Sequence, residues 1–194
     1  MLTTKTRKCR ACGNPFAQYQ SFVTWCSPEC GAEIAAKKIA KIKREEAVIV
    51  RRADKVKKES LKRRADWLAE AQTAFNAWVR LRDAGKPCIC CGKPTLQDRP
   101  GGAVDAGHYL SRGSSPHLRY DERNVHAQRK SCNRPGGTTR DSFRAGMIAR
   151  IGLEAVEALE ADQTPRKYTV DELKAIKAKY TALTRELKEK SWTS

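Results

Sequence analysis

The residues with the most chemistry to offer in this chain are three histidines and eight cysteines. His108 lies in "DAGHY", residues 105–109, between a cysteine cluster ending at Cys91 and the stretch "RNVHAQRKSCN" that closes at Asn133. In order, the middle of the chain presents Cys88-x2-Cys91, Asp105-x2-His108, Asn124, and Cys132 followed directly by Asn133. Phosphodiester hydrolysis asks a protein for three things: a base to deprotonate water, a divalent cation to stabilise charge on the phosphate and leaving oxygen, and a rigid mount for both. Histidine suits the first role near neutral pH. Asp and Asn oxygens suit a hard ion such as Mg²⁺ or Mn²⁺, which takes few protein ligands and keeps several waters. Taken alone, His108 reads as a loop histidine; the asparagines at their offsets make it a candidate general base. His126 reads as a neighbour of a zinc centre, and His117 as a surface loop residue.

Upstream, Cys9-x2-Cys12 and Cys26-x3-Cys30 flank 13 residues that include Phe16, Tyr19, Phe22 and Trp25. Four thiolates in two short-spaced pairs fit a tetrahedral structural Zn²⁺ site, closed to substrate. The alternative is free or redox-active cysteines. The N-terminus reaches Arg7, Lys8 and Cys9 with no apolar run, and no stretch approaches the roughly 20 apolar residues of a bilayer span. The expectation is therefore a cytoplasmic protein without a membrane partner, where paired cysteines serve metals more often than disulfides.

These groups must be positioned by the rest of the chain. From Ala32 to about Ala84 there is no glycine or proline, and alanine, lysine, arginine and glutamate dominate. That composition predicts helix. Between Lys37 and Arg64 there are thirteen basic and four acidic residues. One reading is a solvated helical linker; the one-signed bias favours a rail along a DNA backbone. The net charge of +17 points the same way, to a polyanion. Trp67, Leu68, Ala71, Phe75, Trp78, Val79 and Leu81 form an apolar stripe at helical spacing and read as core. Residues 86–140, rich in glycine and proline, predict loops and short strands. Helical pattern returns in "DSFRAGMIARIG" and "LEAVEALEA", and Thr169 with Glu172 forms a capping box opening a last helix to about Lys190. The expected organisation is an N-terminal zinc module (1–31), a long basic helical segment (32–84), a nuclease-like core (85–150) and a helical C-terminal region (151–194). The class is α+β, mostly helical.

The middle segment resembles the HNH, or His-Me finger, nucleases, whose ββα-metal unit is often clamped by zinc. In that pattern the Asn of "RNVH" is followed five and eight residues on by cysteines, the second preceding the last metal-binding His or Asn. Asn124 plus eight is Cys132, and Asn133 follows. The resemblance implies that His108 is the base, that Asn124 ties down the loop presenting it, and that Asn133 holds the catalytic metal from the first turn of a helix. Position 129 is arginine where the pattern has cysteine, so a central zinc would have Cys88, Cys91 and Cys132, with His126 or Cys90 as a possible fourth ligand. A compact apolar cysteine cluster is the alternative. The family's metal-binding acid usually sits immediately before the base, whereas Asp105 lies three residues before it. A straight strand would separate the two by roughly 10 Å, and a bend at Ala106–Gly107 would bring them together.

Over nearly the whole chain, the order of zinc module, basic helix, "CICCG", "DAGHY", "LRYDERNVHAQ", "CN", "IARIGLEAVEALE" and "YTVDELKAIKAKY" resembles the phage NinG (Rap) recombination proteins. The central unit is also similar to phage resolvases of the endonuclease VII type. The resemblance implies a phage- or prophage-encoded, metal-dependent endonuclease acting on branched double-stranded DNA such as Holliday junctions and D-loops. Arg112, Arg119, Arg123 and Arg129 would then surround the scissile phosphate, with solvated loop arginines as the alternative. Two cuts per junction fit a homodimer, and the C-terminal helix offers a face for other phage recombination proteins. The rival expectation is a non-catalytic, zinc-dependent nucleic-acid-binding accessory protein.

Overall fold

The computed structural model describes residues 5–95 and 103–192, and divides the chain into two compact units, Met1–Leu61 and Lys62–Ser194. The architecture is α+β. Strands β1 (Lys5–Lys8) and β2 (Pro15–Gln18) pair antiparallel and are followed by helix α1 (Pro28–Ser60); these make the first unit. The second holds α2 (Arg64–Arg82), β3 (Val104–His108), β4 (Val125–Arg129), α3 (Arg140–Ile151), α4 (Leu153–Ala161) and α5 (Val170–Trp192). No helix among the described residues is long and apolar enough to cross a membrane.

Helix α1 starts where Ser27 caps it, its hydroxyl accepting from the Cys30 N–H at 3.4 Å, with Pro28 in the first turn. The helical segment expected over 32–84 is interrupted at Leu61–Arg63, and the boundary between units falls there. The break has a local cause. The Asp66 carboxylate accepts from the Arg63 backbone N–H at 2.8 Å, which closes the start of α2. Arg64 Nε then donates to the Tyr168 carbonyl at 2.7 Å, fixing that start to the segment before α5.

The apolar stripe of α2 is core. Trp67, Ala71, Phe75, Trp78 and Val79 pack with Leu173 and Tyr180 of α5 and with Tyr120. Phe75 meets the edge of Tyr180 at 4.7 Å and of Tyr120 at 5.7 Å between ring centroids. The capping box of α5 is formed: Thr169 N–H donates to the Glu172 carboxylate at 2.7 Å, and the Glu172 N–H returns to the Thr169 hydroxyl at 3.2 Å. A second cluster joins Ile89, Tyr109 and Leu118 to Phe143 and Met147 of α3 and Val156 and Leu159 of α4. His117 belongs with this interior and not to the surface: its side chain is 9% exposed and its Nε2 bonds the Asp162 carbonyl at 2.8 Å. The short 3-10 turn Pro116–Leu118 rolls it inward.

Between the layers lies Asp83, fully buried at the end of α2. Its carboxylate accepts from Arg82 at 2.8 Å, from Lys86 at 3.1 Å and from the Ala127 backbone N–H of β4 at 2.9 Å; Arg150 of α3 stands 3.7 Å away. Burial alone would raise its pKa. The contacts with His126, Arg82 and the Ala127 N–H outweigh that and hold it far below the usual carboxylate range. Asp83→Asn leaves the cations around it without their counter-charge, and a loss of about 3–5 kcal/mol is expected for such a broken buried pair. Because the folded pKa is depressed, Asp83's contribution is complete above about pH 5 and is lost as pH falls through and below the unfolded value of about 3.9. Thermal melts of both proteins across that range should show the gap between them narrowing with acidification.

Candidate active site and metal clusters

The four N-terminal cysteines bring their sulfurs within 4.8 Å of one another, with Cys12 to Cys26 at 3.5 Å and Cys26 to Cys30 at 3.7 Å. Four thiolates about 2.3 Å from one Zn²⁺ stand about 3.8 Å apart at tetrahedral angles, so the spacing fits the metal. The first pair sits on a tight turn. The Cys9 N–H donates to the Asn14 carbonyl at 2.9 Å, the Gly13 N–H returns to the Cys9 carbonyl at 2.9 Å, and Gly13 takes a φ of 76° that only glycine adopts cheaply. The second pair straddles the start of α1. Backbone N–H groups, chiefly that of Cys12, draw the Cys9 thiol down to about 6. Cys26 is pushed up to about 12, mainly by its contact with Cys12. Four such groups ionise together only around a cation.

The central cluster reuses the same turn. The Cys88 N–H donates to the Lys93 carbonyl at 2.9 Å, the Gly92 N–H to the Cys88 carbonyl at 3.0 Å, and Gly92 has φ 66°. Cys132, from the turn after β4, completes a set of three sulfurs within 4.8 Å. The Arg129 backbone N–H donates to the Cys88 sulfur at 3.3 Å, so this residue serves the cluster through its main chain where the motif has a cysteine. Burial raises the Cys88 thiol, and the N–H groups of Arg129, Cys91 and Cys90 outweigh it and lower the net value. Neither expected substitute supplies a fourth ligand. His126 turns Nδ1 to Arg82 at 3.2 Å and Nε2 to the Arg123 carbonyl at 3.0 Å, and the Cys90 sulfur takes a hydrogen bond from Gln128 at 3.0 Å. Both clusters have donor sets that could bind structural zinc.

His108 ends β3. Its Nε2 bonds the Arg119 carbonyl at 3.1 Å, which assigns the proton to Nε2 and leaves Nδ1 as the basic nitrogen. Burial, then the nearby charges of Arg112 and Arg119, pull its pKa to about 4 against the pull of the Arg119 and Ala106 carbonyls. Asn124 is fully buried. Its Oδ1 accepts from the Leu110 N–H at 2.8 Å, and its Nδ2 donates to the Leu110 and Leu118 carbonyls at 3.0 and 3.1 Å. One carboxamide thus spans the loop between the strands.

Asp105 and Asn133 meet, Asn133 Nδ2 lying 3.1 Å from Asp105 Oδ2, with Asn133 exposed. Asn133 is in a turn, seven residues before α3, and not in a helix's first turn; Pro135 and the glycine pair behind it end the turn before a helix can grow. Nor does the chain bend at Ala106–Gly107. The ladder runs unbroken from Val104↔Arg129 through Gly107↔His126 to His108↔Val125. Residues three apart on a strand face opposite ways, so Asp105 and His108 point to opposite faces of β3. Gly107 serves a different purpose from the expected bend: an added Cβ would lie 2.1 Å from Gln128 Oε1, so the missing side chain makes room for Gln128 across the strands.

The arginines divide. Arg112 is exposed beside His108. Arg119 donates to Gln72 at 3.2 Å, and Arg123 chelates Asp121 at 2.8 and 3.1 Å, so both are committed to the fold. Sequence reasoning passed over Gln128, which is 2% exposed and donates to the Cys132 carbonyl at 3.1 Å and to Cys90, joining the cysteine turns to β4. In "VHAQR", where three of five residues are polar, nothing in the sequence set it apart. It also passed over Asp83, which reads as an ordinary helix-end acid. Elemental analysis should find two zincs per purified chain, with Cys26→Ser and Cys132→Ser each removing one. A single zinc in the parent protein would dismiss the three-sulfur centre.

The family model described as "Bacteriophage Lambda NinG protein" matches residues 1–190. Curated relatives include Protein ninG of Salmonella phage P22, 37% identical over 95% of this chain and 93% of its own length. Protein ninG of Escherichia phage lambda is 38% identical over 84% of this chain and 83% of its own, and that of Escherichia phage 933W is 37% identical over 94% of each. No solved structure matches this chain. A match that runs through both cysteine clusters and the strands between them places the chain in the NinG family.

Proposed function

We propose that the chain is a metal-dependent endonuclease of branched DNA in phage recombination. The observation that carries this reading is the held imidazole: His108 has one ring nitrogen fixed to a carbonyl, the other unprotonated at neutral pH, and is followed by a loop that Asn124 clamps. His117 and His126 also bond backbone carbonyls, at 2.8 and 3.0 Å; His108 differs in having the exposed Arg112 beside it and in ending the strand that carries Asp105. Asp105 and Asn133 would hold a divalent cation, the Asn amide turning its oxygen inward, an orientation that hydrogen bonding decides. When bound, that ion would offset charge on the phosphate and the leaving oxygen.

In-line displacement sets the attacking water and the leaving oxygen on opposite sides of phosphorus. A base and an oxygen pair whose strand positions lie roughly 10 Å apart along the backbone would serve the two ends of one phosphate and not a shared ligand shell. They face opposite ways from β3, and β3 pairs only with β4 among the described residues, so its outer edge is where a phosphate would reach both. His108 Nδ1 accepts the water's proton, the Arg119 carbonyl keeps the ring from turning, and Arg112 adds positive charge on the same side. The net charge of +17 supplies sequence-independent affinity, and selection then follows DNA shape.

The competing reading is a non-catalytic nucleic-acid-binding accessory protein, favoured by the commitment of Arg119 and Arg123 to internal contacts. Nicking of a four-way junction with Mg²⁺ separates the two. His108→Ala should lower cleavage by about 10²–10⁴-fold, as expected for loss of a general base, while junction binding is retained. Asn133→Ala should do the same by weakening the metal. An accessory protein would show no cleavage to lose. Since the His108 base form is complete above about pH 5, kcat/KM should be flat from there to neutrality on this group's account and should fall as pH drops through about 4, where the imidazole protonates. A limb near 6.5 that vanishes in His108→Ala would rule out the half-buried base.

A further inference from the structure

Helix α1 runs for 33 residues, about 50 Å, and none of its residues is buried. A helix of that length gains most of its stability from packing an apolar face. Such a face exists. Ala35, Ile39, Ile42, Ile49, Ala53 and Val56 follow one another at steps of three and four residues, with Glu46 as the one polar member of the row. This is the alternating first-and-fourth-position pattern of a heptad, held for more than three repeats. Ile39 is 54% exposed, Ile42 44%, Ile49 66% and Val56 68%. On the opposite edge Lys37, Arg44, Arg51 and Lys58 recur every seven residues, so the helix has an apolar seam and a basic back.

We infer that the seam pairs with the seam of a second copy of this chain, in an antiparallel two-stranded coiled coil. The charges beside the seam decide both occupant and direction. In a parallel pair Glu46 would face the partner's Glu46 inside the seam, and Lys38 and Arg52 would face the partner's Lys43 and the partner's Lys57. Every charged contact would repel. Run the helices antiparallel, with Ile39 beside the partner's Val56, and the flanking residues match: Lys38 meets the partner's Glu59, Glu45 meets the partner's Arg52, and each pair occurs twice by symmetry. Lys43 then lies against the partner's Val50, an apolar residue that is 57% exposed and has no other cover. Glu46 falls opposite the partner's Ile49 and extends its carboxylate to the rim. The basic backs remain outside, free to follow nucleic acid. This dimer stands whether or not the chain cuts DNA.

Sedimentation equilibrium on the full chain tests it. The parent should weigh twice its 21.7 kDa, and Ile42→Asp with Ile49→Asp should weigh 21.7 kDa while keeping its zinc content. Arg52→Glu puts an acid against Glu45 in the antiparallel pair and should weaken the dimer on the order of tenfold, with Glu45→Arg in addition restoring it. Glu46→Leu should tighten it, a gain that misfolding does not produce. A monomeric parent overturns the proposal, including one in which the isoleucine changes affect only DNA binding. Tightening by Arg52→Glu overturns the antiparallel arrangement, because only a parallel pair sets that residue against Lys57.

Discussion

One buried negative charge organises the second unit. Asp83 is desolvated completely, in a chain whose balance is strongly positive, and it is tolerated because four elements bring it partners. Arg82 comes from the end of α2, Lys86 from the approach to the central cysteines, the Ala127 N–H from β4, and Arg150 from α3. Each partner is costly to bury alone and acceptable here because the carboxylate is already present. The result is a fixed junction at which the helical layer, the cysteine turn and the strand pair share one reference point. The centre proposed for catalysis is built outward from it, since Val125 to Arg129 supply both the register of β3 and the main-chain N–H that caps Cys88.

Much of this was legible in the residues, and the exceptions are instructive. The α2 stripe, the α5 capping box and the four N-terminal cysteines are local signals: periodicity, a reciprocal cap and a short spacing each carry their meaning within a few residues. What could not be read was set by contacts distant in sequence. The break at Leu61–Arg63 depends on Asp66 and on Tyr168, a hundred residues away. Gly107 signalled a bend, because glycine permits one, but the strand opposite supplies Gln128 and makes the glycine a space for another side chain. His117 looked like a loop residue until Asp162 gave its ring a carbonyl.

The candidate centre divides along the same line. The offsets among His108, Asn124 and Asn133 are sequence facts, and the hydrogen bonds of Asn124 give one of them a clear mechanical meaning. The orientation of Asp105 relative to His108 is a strand-register fact, and it places a half-buried imidazole and a partly exposed oxygen pair on two sides of one backbone. Sequence spacing counts residues but does not count half-turns of a pleat. The four arginines show the same limit, since composition cannot tell a cation held by Asp121 from one left for a phosphate.

Cys132 and Asn133 are consecutive, one sulfur turned inward and one amide turned out. Their Cα atoms are tied at about 3.8 Å by a single planar peptide, so neither can be displaced without dragging the other. Whatever grips the sulfur therefore sets the tolerance on the amide, in the way a hinge pin sets the swing of a door. A metal held by the cysteines would in this way govern how accurately the Asn133 amide is aimed.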